Sequence, residues 1–169
     1  MRKFVSCLFA AAIAVVSLGQ ALPARAQSKD EQQIRALDDR LAAAVNARDV
    51  DAIMKAYVPG NELFVFDLGL PRQHVGWEAY KKDWQDFFDV VQGLKLDVKD
   101  LSITADGKIA YSHCIQHATW TNKDGSPTEL NASVTDVYRK IDGKWLIVQE
   151  HLSVPIHIAT GKAEMMSKP

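Results

Sequence analysis

The sequence predicts an α+β domain: helices come first, an antiparallel meander follows, and the helices lie on one face of a curved sheet. Three observations predict it. Apolar residues recur at three- and four-residue spacing as far as Val91, after which the texture changes to strand-like runs. Those runs are separated by Asp106-Gly107, Asp124-Gly125 and Asp142-Gly143, and an Asp-Gly pair between alternating apolar residues is a strong hairpin signal. No internal repeat or low-complexity region divides the chain, and 169 residues suit one domain.

The chain starts with Arg2 and Lys3, an apolar, alanine-rich run from Phe4 to Leu18, and an A-x-A site at Ala24-Arg25-Ala26. This reads as a secretory signal peptide over residues 1–26, too short for a comfortable membrane span. The single domain is then 27–169, and the expected location is the periplasm or the outside of the cell. Loss of Arg2, Lys3 and Arg25 leaves 17 basic against 21 acidic residues, a formal charge of −4. That balance argues against nucleic acid and anionic membranes as partners. Cys7 leaves with the signal, so Cys114 is left alone, without an intrachain disulfide, as a buried thiol.

In the domain, Ile34, Leu37, Leu41 and Val45 mark a first amphipathic helix ending near Asn46-Ala47-Arg48. Asp49 caps a second, short helix through Tyr57, and Pro59-Gly60-Asn61 breaks it. Leu63 to Phe66 is a short strand leading into Asp67, and Leu68 to Val75 is a loop. Gly76 precedes a third helix, Trp77 to Val91, whose stripe of Tyr80, Trp84, Phe87, Phe88 and Val91 is core. Strands are expected at 94–103, 109–121, 130–140 and 145–154.

One stretch resists a simple reading. "KWLIVQEHLSVPI" begins as a buried strand, yet Gln149, Glu150 and His151 arrive together, and unpaired polar groups in a core are costly. The chain carries no G-x-x-x-x-G-K-[ST], G-x-G-x-x-G, H-E-x-x-H or G-x-S-x-G signature.

The stretches "NARDVDAIMKAY", "FVFDLGLP", "SVTDVYRKIDGKWLIVQEHLSVP" and "ATGKA" resemble the nuclear-transport-factor-2-like superfamily, and within it the secreted bacterial SnoaL-like proteins homologous to ketosteroid isomerase. The resemblance spans about Ile34 to Ala163. It implies a cone-shaped antiparallel sheet with three helices on its concave face, a deep pocket between them, and often a homodimer through the convex face. On that pattern Val134, Asp136 and Tyr138 face the pocket, together with Val148, Glu150 and Leu152, and with Tyr111, His113, Ile115 and His117. Trp145, Ile147, Gln149, His151 and Ser153 fall on the convex side, where Trp145 and Ile147 give reason to expect a partner subunit.

The resemblance also implies roles. Asp67 matches the isomerases' general base, and Asp136 their protonated aspartate, the donor to an enolate oxygen; the latter enzyme is a worked case of a carboxylic acid kept neutral by an apolar site. Leu41 stands where the isomerases carry a tyrosine donor, so half of their oxyanion hole is missing, with His113 or Tyr57 as substitutes. His113 and His117 share a strand face about 13 Å apart at ~3.3 Å per residue, too far to hold one metal ion together. His113 polarises the ligand in this scheme. Trp84, His117, Glu150, Tyr57, Tyr138, Leu41, Val148 and Leu152 line the site. The expected ligand is small and apolar or amphipathic, handled by proton transfer or only bound, with no metal or cofactor; the other alternative is a dimeric assembly module of the same fold.

Overall fold

The computed structural model describes residues 27–167, so the expected signal peptide lies outside the described residues. Helix α1 (Lys29–Ala47) starts at a capping box: the Ser28 hydroxyl accepts from the Glu31 N–H and the Glu31 carboxylate accepts from the Ser28 N–H. Helix α2 (Val50–Met54) is capped by Asp49 and stops three residues earlier than the sequence suggests. After it, Val58 and Ile147 are linked by a backbone hydrogen bond, so the segment at Tyr57 runs as a bridge along the sheet.

Strand β1 (Phe64–Phe66) pairs antiparallel with β2 (Gln73–Val75), a strand inside the segment expected to be loop. Three residues with one inward side chain give too short an alternation to read. Gly76 joins β2 to α3 (Trp77–Val90) at φ 93°, a backbone region that a side chain would strain. Then come β3 (Val91–Asp106), β4 (Ile109–Asn122), β5 (Pro127–Ile141) and β6 (Lys144–Ser153). Asp142 and Gly143, both at positive φ, form the two-residue loop between Ile141 and Lys144, as a tight hairpin requires.

The sheet order is β2-β1-β6-β5-β4-β3. It is a meander, with one departure from a purely antiparallel sheet: β1 runs parallel to β6. Register shifts between Gln92 and Lys95 and between Lys99 and Ser102 bend β3. The helices cover the inner side of the curve, and the core of Ile34, Ile53, Val65, Tyr138 and Ile147 lies between the layers. A short ribbon of β7 (Ile156–His157) and β8 (Lys162–Ala163) follows, and the Asn131 N–H donates to the Met165 carbonyl at 2.7 Å, tying the tail to β5.

Register decides which side chains face inward, and it corrects the expectation in two places. On β4 the buried residues are Ala110, Ser112, Cys114 and Ala118, so Tyr111, His113, Ile115 and His117 belong to the opposite, outer face. His113 is exposed, and His117 sits 2.8 Å from Glu129 at the surface. The apolar pattern of this strand is almost equal on both faces, so alternation alone did not choose the inner one. On β6, Tyr138 pairs with Ile147 but Val137 pairs with Gln149, leaving Val148 as an extra residue. This bulge shifts the phase of the strand. Trp145 and Ile147 before it point inward, at 4% and 0% exposure, instead of outward to a partner. Glu150 after it also points inward, while Gln149 and His151 are exposed. The three adjacent polar residues therefore divide between the two faces.

Candidate functional site

Between α3 and the inner face of the sheet lies a cavity of about 580 Å³. Its lining is mainly apolar, with Trp84, Phe87, Leu96, Trp120, Leu130 and Leu152 prominent, and Met165 of the tail closes one side. Its ionisable groups come from one side, Asp67 after β1, His74 of β2, and Tyr80, Asp83 and Asp86 of α3, while Gln116 of β4 adds an amide on the sheet side. The β1–β2 pairing sets Val65 opposite His74, and the Asp67 N–H donates to the Arg72 carbonyl, which closes the loop between them. His74 Nε2 is 3.5 Å from Asp83 Oδ1 and 3.9 Å from Asp67 Oδ2. Burial raises the Asp83 carboxyl from its ordinary value.

Behind this wall is a second polar group, sealed in the core. Glu150 is 3% exposed, and its two oxygens accept from Tyr57 Oη at 2.8 Å and Tyr80 Oη at 2.6 Å. Asp136 lies directly across the strand pair from Glu150. Burial pushes Asp136 well above the usual range, and the negative charges of Glu150 and Asp38 add to it. Its Oδ1 meets no hydrogen-bond partner among the described residues, and burial beside Glu150 and Asp38 favours the neutral, protonated carboxyl. Burial also raises Glu150, and the hydrogen bonds from Tyr80 and Tyr57 pull it back. Tyr138 Oη donates to Asp38 at 2.9 Å and lies 2.9 Å from Ser112 Oγ. Burial raises Asp38 to about 7.

The expected site residues therefore separate. Asp67, Trp84 and Leu152 line the cavity. Tyr57, Tyr138, Asp136 and Glu150 are brought together, but in the sealed network behind it. Leu41 and Asp136 border a small void of about 20 Å³, which shares Leu96 and Gln116 with the cavity wall. Val148 is the half-buried bulge residue and lines no part of the cavity. Neither His113 nor His117 reaches it, so His113 cannot polarise a ligand there, nor is it the partner of Glu150. The tyrosines at 57 and 80 fill that place.

Sequence reasoning missed Asp38, His74 and Asp83. Asp38 was legible, since it lies one turn from both Ile34 and Leu41 on the apolar stripe of α1, where a charged residue is anomalous. Asp83 stands at the same kind of position, one turn from both Tyr80 and Phe87 on α3. For His74 the chain gives no local signal. Cys114 is buried and free, as expected, and its thiol is pushed up to about 12 by burial.

Solved structures support the architecture. An NTF2-like protein of unknown function from Pseudomonas putida KT2440 is 28% identical, with a TM-score of 0.74 over 83% of this chain and 96% of that one. An NTF2-like superfamily protein from Salmonella enterica serovar Typhimurium LT2 is 18% identical, with a TM-score of 0.69 over 78% of this chain and 95% of that one. A ketosteroid isomerase-like protein from Erwinia carotovora atroseptica SCRI1043 is 20% identical, with a TM-score of 0.64 over 75% of this chain and 97% of that one. No curated protein matches the chain. The sequence model of the SnoaL-like domain matches residues 34–157, which take in most of α1, all of α2 and α3, and all of β1 to β6. The helix-covered curved sheet, its inner cavity and this match agree: the chain belongs to the SnoaL-like domain family, within the NTF2-like superfamily.

Proposed function

We propose that the protein binds a small, mostly apolar molecule in the cavity between α3 and the sheet and moves a proton on it. The observation that carries this reading is the distribution of polarity: an apolar chamber of about 580 Å³ with its carboxylates and imidazole on one wall. Asp67 is the base. It borders the chamber and is 21% exposed, open enough to meet a ligand yet backed by apolar side chains. Tyr80, anchored on Glu150, orients the ligand's polar end. Asp136 serves the buried network and does not touch the ligand. The segment at residues 1–26 supports export as a signal peptide, with the work done in the periplasm or outside the cell. A homodimer through the outer sheet face is supported by Ile109 and Tyr111, which are half-exposed there.

The test is turnover of a β,γ-unsaturated ketosteroid, followed by the ultraviolet absorbance of the conjugated enone. Wild type accelerates the reaction above buffer, and Asp67→Asn loses at least about 10²-fold, the low end for a general base. Full activity in Asp67→Asn refutes the role of Asp67. A second reading, a binding module without turnover, is favoured by Leu41, which offers no donor, and by Glu150, whose oxygens are already occupied by Tyr57 and Tyr80. It requires a ligand that purifies with the protein and is recovered unchanged.

A further inference from the structure

We propose that Asp67, His74 and Asp83 hold a divalent transition-metal ion, with zinc as the type, on the polar wall of the cavity. The proposal goes beyond the proton-transfer reading and needs only the cavity, not turnover.

Two observations point to a ligand here. His74 is 7% exposed, and its ring makes no hydrogen bond among the described residues, although buried imidazoles ordinarily have a partner. Its Nε2 is aimed between two carboxylate oxygens, at 3.5 and 3.9 Å, too long for hydrogen bonds. Separately, the indole Nε1 of Trp84 is buried without an acceptor among the described residues, and Trp84 lines the same cavity next to Asp83. A buried donor left over beside the cluster suits a molecule or bound water sitting there.

The spacing fits an ion. The nitrogen and the two carboxylate oxygens all lie within 4.8 Å of one another. Ligands about 2.1 Å from one ion and a tetrahedral angle apart are about 3.4 Å from each other. Small side-chain rotations therefore complete the set. One imidazole and two carboxylates are a borderline donor set, suited to zinc, manganese or ferrous iron and poorer for calcium, which prefers oxygen alone. The ligands come from three elements, the end of β1, β2 and the middle of α3, so the site is held by the fold and not by one loop. Three protein ligands leave a coordination position open toward the cavity, as in catalytic zinc sites.

The competing arrangement is a protonated His74 bridging the two aspartates with no ion. Titration calorimetry with zinc chloride on chelator-treated protein separates them, backed by the visible absorption of a Co²⁺-loaded sample. The expected result is one ion per chain for wild type, with affinity falling by more than about tenfold in Asp83→Asn and in His74→Ala, and unchanged in His157→Ala. Because His74 is buried, Asp83→Asn carries the test if His74→Ala fails to fold; zinc should raise the melting temperature of wild type but not of Asp83→Asn. Zinc binding that is absent, or equal in wild type and Asp83→Asn, overturns the proposal. Metal without turnover leaves this site standing and removes the proton-transfer reading. Turnover that depends on Asp67 but persists in chelator does the reverse.

Discussion

Asp38→Asn tests the buried network through its dependence on pH. Asp38 is buried on α1 and accepts from Tyr138, and burial pushes its carboxyl up to about 7 in the fold against 3.8 for a free aspartate. The folded state therefore holds a proton that the unfolded chain releases earlier. Stability attributable to this group is fully present below about pH 3.8 and is lost as pH rises to about 7. At 1.36 kcal/mol per unit the loss is about 4 kcal/mol. Asparagine has no proton to lose. Its carbonyl still accepts from Tyr138, but its amide lacks a placed acceptor, which costs about 1–3 kcal/mol at every pH. The variant is thus weaker than wild type near about pH 4 and level with it or more stable near about pH 8. The difference between the two proteins shifts by about 4 kcal/mol across that range, whatever the fixed cost of the amide. Urea unfolding followed by tryptophan fluorescence measures it, since Trp145 is buried against the core. A difference that stays constant with pH would refute the reasoning and place the Asp38 titration in the ordinary range.

Other outcomes follow from the same structure. Tyr138→Phe removes the donor to Asp38 and the hydroxyl partner of Ser112, and should cost about 1–3 kcal/mol in urea unfolding. Ile147→Ala should cost about 2–5 kcal/mol, because Ile147 has no exposure and faces the core; a loss below about 1 kcal/mol would return it to the outer face. Cys114 should resist a thiol reagent in the native protein and react at once in denaturant, since it is both buried and pushed up to about 12. Rapid native labelling would show that β4 presents Cys114 outward.

The architecture was readable because its signals are local and repeated. The Asp-Gly turns, the spacing of Ile34 through Val45 and the cap at Asp49 each act within a few residues, and each appears where expected. The facing of the strands was not readable at two points, for separate reasons. On β4 the inner residues Ser112 and Cys114 are small or polar while the outer ones include Tyr111 and Ile115, so hydrophobicity does not single out the inner face. On β6 an inserted residue at Val148 reverses the alternation midway, and a strict period of two carries the error along the strand. Within the site, Asp67 was readable from its place after an aromatic strand. That it meets His74 and Asp83 was not, because the meeting depends on how β2 and α3 fold back over β1. The network partners of Glu150 come from α3 and the segment after α2, a long-range closure that the sequence does not encode in any spacing.

The tail has a practical consequence. Met165 walls the cavity, and the segment that carries it is fixed to β5 through Asn131, whose N–H and side-chain amide reach Met165 and Ser167. An affinity tag, a fluorescent fusion or a surface tether attached after Pro169 would pull on that wall. Attachment ahead of Ser28 would load the start of α1, which lines no part of the cavity. Handles for immobilisation and ligand screening therefore belong at the amino end of the domain, and an inert result from a carboxyl-tagged sample would speak about the tag before it spoke about the pocket.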